Sequence, residues 1–193
     1  MRCDYCYNKD IVFAKYGTYS YNDIIDFLKT RVGCLDAVVL SGGEATSYNL
    51  IEFCKEIKQL GFLIKLDTNG VNYDSIKELV EYNLIDYIAL DYKAPKYKFY
   101  KITKLNRYNQ FTKTLDFLID SNIEFEVRTT LHNDLLDVDD INAIICDLKE
   151  RNYTNKYYLQ KFLDTGTNIR NLKDSTNSFD EEKLSNSLEV IWR

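Results

Sequence analysis

Ala37-Val38-Val39-Leu40-Ser41-Gly42-Gly43-Glu44 is a short β-branched, apolar run that stops in a polar, glycine-rich turn. Leu50, Ile51, Cys54, Ile57 and Leu60 follow at helical spacing, and Gly61 stands at a C′ position, where a left-handed residue ends a helix. The same order of apolar run, polar turn and amphipathic stretch recurs outward from here. Further runs are Phe62–Leu66, Tyr87–Leu90, Phe125–Thr129 and Tyr157–Gln160. The helical stretches carry Ile24, Ile25, Phe27 and Leu28 (after Ser20 as N-cap), then Ile76, Leu79 and Val80, then Phe111, Leu115, Leu118 and Ile119, then Ile141, Ile144, Ile145 and Leu148. A last helix is expected over Asp180 to Ile191, with Leu184, Leu188 and Ile191 on one side. Strands alternating with helices of this length imply parallel pairing through right-handed crossovers, in an α/β fold.

The chain has 193 residues, long enough for a proper core, and is read as a single domain over 1–193. Within it, 1–8 form a loop bearing two cysteines, and 164–193 form a C-terminal loop and helix. A net charge of −5 argues against a protein that grips nucleic acid backbones. No apolar run approaches the roughly 20 residues needed to cross a bilayer, and no signal-peptide pattern opens the sequence. Five cysteines without a secretory signal point to a reducing, cytoplasmic setting and to ligands rather than disulfides.

In a parallel α/β barrel, chemistry sits at the carboxyl ends of the strands. Ser41 to Glu44 follows the first run, and its paired glycines let backbone approach a ligand. An ordinary strand-to-helix turn has the same composition. Asp67-Thr68-Asn69-Gly70 follows the second run and Asp91-Tyr92-Lys93 the third; the fourth ends in Arg128-Thr129-Thr130, and the fifth carries Gln160 and Lys161. Every strand end is therefore polar. Ahead of them all stand Cys3 and Cys6, with Tyr5 between. That spacing serves a zinc half-site, a redox pair or an iron–sulfur ligand pair.

Taken together and in order, these segments resemble the radical S-adenosylmethionine superfamily. Cys3-x-Tyr5-Cys6 resembles the last two ligands of its Cys-x3-Cys-x-aromatic-Cys motif, and Ser41 to Glu44 its Gly-Gly-Glu motif. Leu66 to Gly70 and Ala89 to Pro95 resemble the glycyl-radical-enzyme activating branch. Phe125 to Thr130 and Tyr158 to Phe162 extend the similarity to the activating protein of anaerobic ribonucleoside-triphosphate reductase. The motif's first cysteine, four positions before Cys3, has no counterpart in a sequence beginning at Met1. The expectation is a partial parallel (β/α) barrel lacking its first strand, in a chain truncated at its start. A degenerate member without a cluster is the alternative.

The resemblance implies a [4Fe–4S] cluster held in part by Cys3 and Cys6, and S-adenosylmethionine as the second cofactor. An electron from the cluster would break the sulfonium bond and give a 5′-deoxyadenosyl radical. Tyr5 would pack near the adenine; Gly42, Gly43 and Glu44 would take the methionine ammonium. Asp67 and Asp91, flanked by Thr68 and Asn69, pose a like-charge problem beside a carboxylate substrate. A monovalent cation on Asp67, Thr68 and Asp91 would relieve it, with Lys93 sharing the work; a surface Asp–Lys pair is the plainer reading. Arg128 and Thr130 would hydrogen-bond the ribose or carboxylate, and Gln160 the adenosine. The implied partners are a glycyl radical enzyme and a low-potential electron donor, under anaerobic conditions, with no nucleic acid and no membrane. Two other functions fit: a radical enzyme acting on a small molecule, of the base-modification synthase type, and a cluster-less protein binding adenosylmethionine or zinc.

The remaining candidates read as structural. His132 is a loop residue, Cys54 and Cys146 are small core residues on apolar helix faces, and Cys34 lies in a turn beside Gly33. The lysines and aromatics from Lys96 to Lys104 offer a docking surface for a partner protein; as a nucleic-acid patch they are short and isolated in an acidic chain, and a solvated loop is the preferred reading.

Overall fold

The computed structural model describes residues 1–14 and 16–193. Among these residues six strands form one parallel sheet in sequential order: β1 (Ala37–Leu40), β2 (Leu63–Thr68), β3 (Tyr87–Asp91), β4 (Glu124–Leu131), β5 (Tyr157–Lys161) and β6 (Val190–Trp192). The helices are α1 (Lys9–Phe13), α2 (Tyr21–Lys29), α3 (Ile51–Gln59), α4 (Tyr73–Glu81), α5 (Lys96–Thr103), α6 (Tyr108–Asp120) and α7 (Val138–Glu150). Local signals set several boundaries. Ser20 caps α2 in a capping box with Asp23, and Gly61, at φ 88°, lets the chain leave α3 for β2. No helix among the described residues is long and apolar enough to cross a membrane.

The two faces of the sheet differ in chemistry because successive side chains of a strand point to opposite sides. Ile64, Leu66, Ile88, Leu90, Val127 and Leu159 are buried in the core, with Ile57, Ile76, Phe111, Leu115, Ile144 and Leu148 from the helices. The alternate positions carry Lys65, Asp67, Asp91, Glu126, Arg128 and Gln160, so these strands are apolar on one face only. A sheet with helices on both faces would bury both sides and read as apolar throughout. Here one face is left for a ligand.

Three expectations are corrected. The helix expected over Asp180–Ile191 does not form; a 3-10 turn at Glu181–Lys183 leads instead to β6. The edge of β5 decides this, because its backbone needs partners: Tyr157 N donates to Glu189 O at 2.9 Å, and Arg193 N to Leu159 O at 2.9 Å. The stretch read as a solvated loop is α5, which begins after Pro95 and buries Phe99 and Ile102 on its inner side. Cys146 is exposed beside Glu150 and is not a core residue, whereas Cys54 is fully buried.

Candidate functional site

At the carboxyl ends of the strands lies a cavity of about 600 Å³, and every site residue anticipated above lines it, from Cys3 and Cys6 on the N-terminal loop to Gln160 on β5. The fold also brings in residues that no motif marked, among them Asn8, Val12, Leu163 and Thr165. They sit in α1 or in irregular segments, and only the packing of those segments over the sheet brings them here.

The centre of the site is a row of charges alternating in sign. Lys93 Nζ donates to Asp91 Oδ2 at 2.9 Å, Arg128 Nε to Asp91 Oδ1 at 2.6 Å, and Arg128 Nη2 lies 3.1 Å from Asp67 Oδ2. Lys65 Nζ continues the row, 3.8 Å from both Asp67 and Glu126, and Arg193 grips Glu126 with two bonds of 2.9 Å. Burial works to raise the Asp91 carboxyl, but Lys93 and Arg128 together hold it below the usual carboxylate value. Burial likewise opposes the charges on Lys93 and Arg128, and the carboxylates they face keep both cationic with raised values.

This arrangement changes the account of Asp67 and Asp91. Their repulsion is met by Arg128 and Lys93, so charge balance does not call for a monovalent cation. Thr68 has a structural tie as well. It follows Asp67 in β2 and its hydroxyl donates to Glu44 Oε1 at 2.7 Å. Lys93 and Asp91 are only 16% and 18% exposed in their side chains, so they are not a surface pair.

Glu44 accepts three protein donors: Thr46 Oγ1 at 2.6 Å, Thr68 Oγ1 at 2.7 Å and Asn69 N at 2.8 Å. A carboxylate has about four lone-pair positions, which leaves Glu44 roughly one for a ligand ammonium. Its main work in the protein is to bind the turn after β2 to the glycine loop after β1. Asn69 is similarly occupied, its Oδ1 accepting from Val71 N at 3.2 Å. Gly70 completes that turn at φ 74°, where a Cβ would stand 2.7 Å from Leu90 Cδ1.

Around the thiols, Cys3 is buried and Cys6 partly so, with Tyr5 between them at 5% exposure. Burial pushes the Cys3 thiol up, against the pull of nearby Lys93. Among the described residues, two buried polar atoms in the site lack a hydrogen-bond partner, the Tyr5 hydroxyl and Asp67 Oδ1. One is a donor and the other an acceptor, in a cavity of ligand size. His132, by contrast, is buried away from this cavity, with Nε2 bonded to Lys173 O at 2.9 Å.

A parallel half-barrel with two thiols at its mouth and a glycine loop after the first strand defines a class. Residues 1–164 match the Radical SAM superfamily, and the chain belongs to it. A protein of Methanocaldococcus jannaschii named "Putative glycyl-radical enzyme activating enzyme" is 33% identical over 172 residues, covering 84% of this chain and 68% of that protein. A second protein of that organism and name is 27% identical over 202 residues, covering 100% of this chain and 73% of that one. Among solved structures, anSMEcpe with bound AdoMet aligns with a TM-score of 0.68 at 18% identity, covering 84% of this chain and 48% of that one. Streptococcus suis SuiB bound to S-adenosylmethionine aligns at 0.64 and 13% identity, covering 85% and 36%. The chain thus spans about half or less of these solved structures, and at such identities the likeness is one of fold.

Radical SAM proteins use a [4Fe–4S] cluster and S-adenosylmethionine. The site fits them in kind: two sulfurs at the mouth, an unpartnered donor and acceptor, and fixed cations for a carboxylate. Among the described residues no group of three or more Cys, His, Asp or Glu gathers as a metal site.

Proposed function

We propose that this chain is a glycyl-radical activase, with an anaerobic ribonucleoside-triphosphate reductase as its target. When bound, the cluster supplies the electron that cleaves adenosylmethionine. That cleavage would release methionine and supply an adenosyl carbon able to take a hydrogen atom from a glycine Cα of the partner, so that 5′-deoxyadenosine and a backbone radical would be the products. Cys3 and Cys6 hold the cluster. The Gly42–Gly43 backbone takes the methionine ammonium with the free lone pair of Glu44. Arg128 faces the carboxylate, Asp67 Oδ1 accepts from a ligand hydroxyl or amine, and Thr130 and Gln160 line the adenosine side. Tyr5 seals the thiols from water.

The observation that supports this most directly is the gathering of these groups in one cavity. The activase role draws on the names of the two archaeal relatives, and the reductase target on the sequence resemblance. A low-potential electron donor and a reducing, cytoplasmic setting go with that chemistry. The test is anaerobic mixing of the iron-loaded chain, adenosylmethionine and a reductant with a candidate reductase. A glycyl radical signal in electron paramagnetic resonance, with one 5′-deoxyadenosine per radical, is expected. Adenosylmethionine cleavage that leaves the reductase unmodified and alters a small molecule would replace this function with the synthase type.

A further inference from the structure

The turn that carries the two thiols is gripped from both sides. Asp4, between them, is only 4% exposed. Its Oδ2 accepts from Lys104 Nζ at 3.1 Å and from Arg170 Nη1 at 2.9 Å. Lys104 ends α5 in the left-handed conformation, at φ 57°. On that side Arg2 N also donates to Thr103 O at 3.2 Å. On the other side the backbone of the C-terminal segment closes on the turn itself: Ile169 N donates to Cys6 O and Arg170 N to Asp4 O, both at 3.1 Å. Asn168 is buried and braces that segment through two bonds to Leu172, of 2.8 and 2.7 Å.

A carboxylate so buried is costly unless it is paired, and here both cations come from outside the loop. We infer that Asp4 is a positioning residue and that residues 168–172 are a clamp, which together fix the spacing and exposure of the Cys3 and Cys6 thiols. The functional meaning of the clamp rests on the proposed cluster site, but its geometry does not. Loosening it opens the loop, exposes Cys3 and speeds loss of whatever metal the thiols hold.

The test uses the full chain, metal-free and anaerobic, with iodoacetamide as probe and labelling of each cysteine followed by mass spectrometry. Arg170→Gln and Asp4→Asn are expected to label Cys3 about tenfold faster than the parent, since a weakened ion pair favours local opening. Arg170→Lys keeps the charge and is expected near the parent rate. Cys54, fully buried elsewhere, serves as the internal control. Arg170 is 61% exposed in its side chain, so its variants fold even where Asp4→Asn does not. A Cys3 rate unchanged in Arg170→Gln, or one that rises together with Cys54, overturns the clamp. After reconstitution with iron and sulfide, Arg170→Gln is expected to release iron to a chelator at least about tenfold faster; release at the parent rate counts against the clamp. A parent chain that takes up no iron sinks the cluster site, while the labelling rates still decide the clamp.

Discussion

Arg128 and Asp91 are paired in the parallel register of β3 and β4, and Arg128 Nε donates to Asp91 Oδ1 at 2.6 Å. The same guanidinium reaches Asp67 on β2, so one cation holds two carboxylates together at the mouth of the half-barrel.

Replacing that cation tests the arrangement. Arg128→Met leaves Asp67 and Asp91 facing each other in a partly dry site and is expected to cost about 3 kcal/mol of stability. Adenosylmethionine binding is expected to weaken at the same time. Denaturant unfolding and calorimetric titration measure the two effects. A variant as stable as the parent would show that the carboxylates find other partners.

Acid is expected to undo the same network, and the sign follows from Asp91. Its folded-state pKa lies below the unfolded value, so the unfolded chain takes up the proton first as pH falls. The contribution is complete above the ordinary carboxylate pKa of about 4 and fades as pH drops through the lower folded value. Melting temperature against pH is expected to be flatter below about pH 4 in Asp91→Asn than in the parent. Parallel curves would remove Asp91 from the acid response.

Glu44 joins the two turns, and Glu44→Gln puts an amide donor among three donors. A loss of about 1–3 kcal/mol is expected. The local sign is faster hydrogen exchange at the Asn69 amide, which Glu44 Oε2 holds at 2.8 Å. Unchanged protection there would separate Glu44 from the turn.

Gly70→Ala meets both a left-handed backbone and a crowded core, with Leu90 and Phe111 at 2.7 and 3.1 Å from the added carbon. About 2–3 kcal/mol is the expected cost. The midpoint of urea unfolding reports it, and a midpoint equal to the parent's would mean that the turn has room to shift.

Much of the site was legible because its residues lie in or just after the carboxyl-terminal parts of the strands, where the apolar runs give way to polar side chains. Asp67, Asp91 and Arg128 could be placed at one rim from order alone. Their partners could not. Nothing near Thr68 in sequence says that its hydroxyl donates to Glu44, twenty-four positions earlier. Asp180–Ile191 carried apolar residues at helical spacing, and an unpaired strand edge pulled its end into the sheet. Asp4 gave no signal, since nothing local to it says that Lys104 and Arg170 will meet there.

What the sequence determined by itself was the periodic part: where strands and helices alternate, where Ser20 and Gly61 begin and end a helix, and which residues crown the strands. Those features depend on neighbours within a few positions, so backbone preference and side-chain spacing are enough to show them. The tertiary structure alone decided which charges neutralise one another, that the chain's last residues form a strand, and what holds the two-thiol turn. Those outcomes depend on hydrogen bonds and ion pairs a few ångströms long between segments far apart in sequence, and only the curvature and register of the sheet bring such groups within reach.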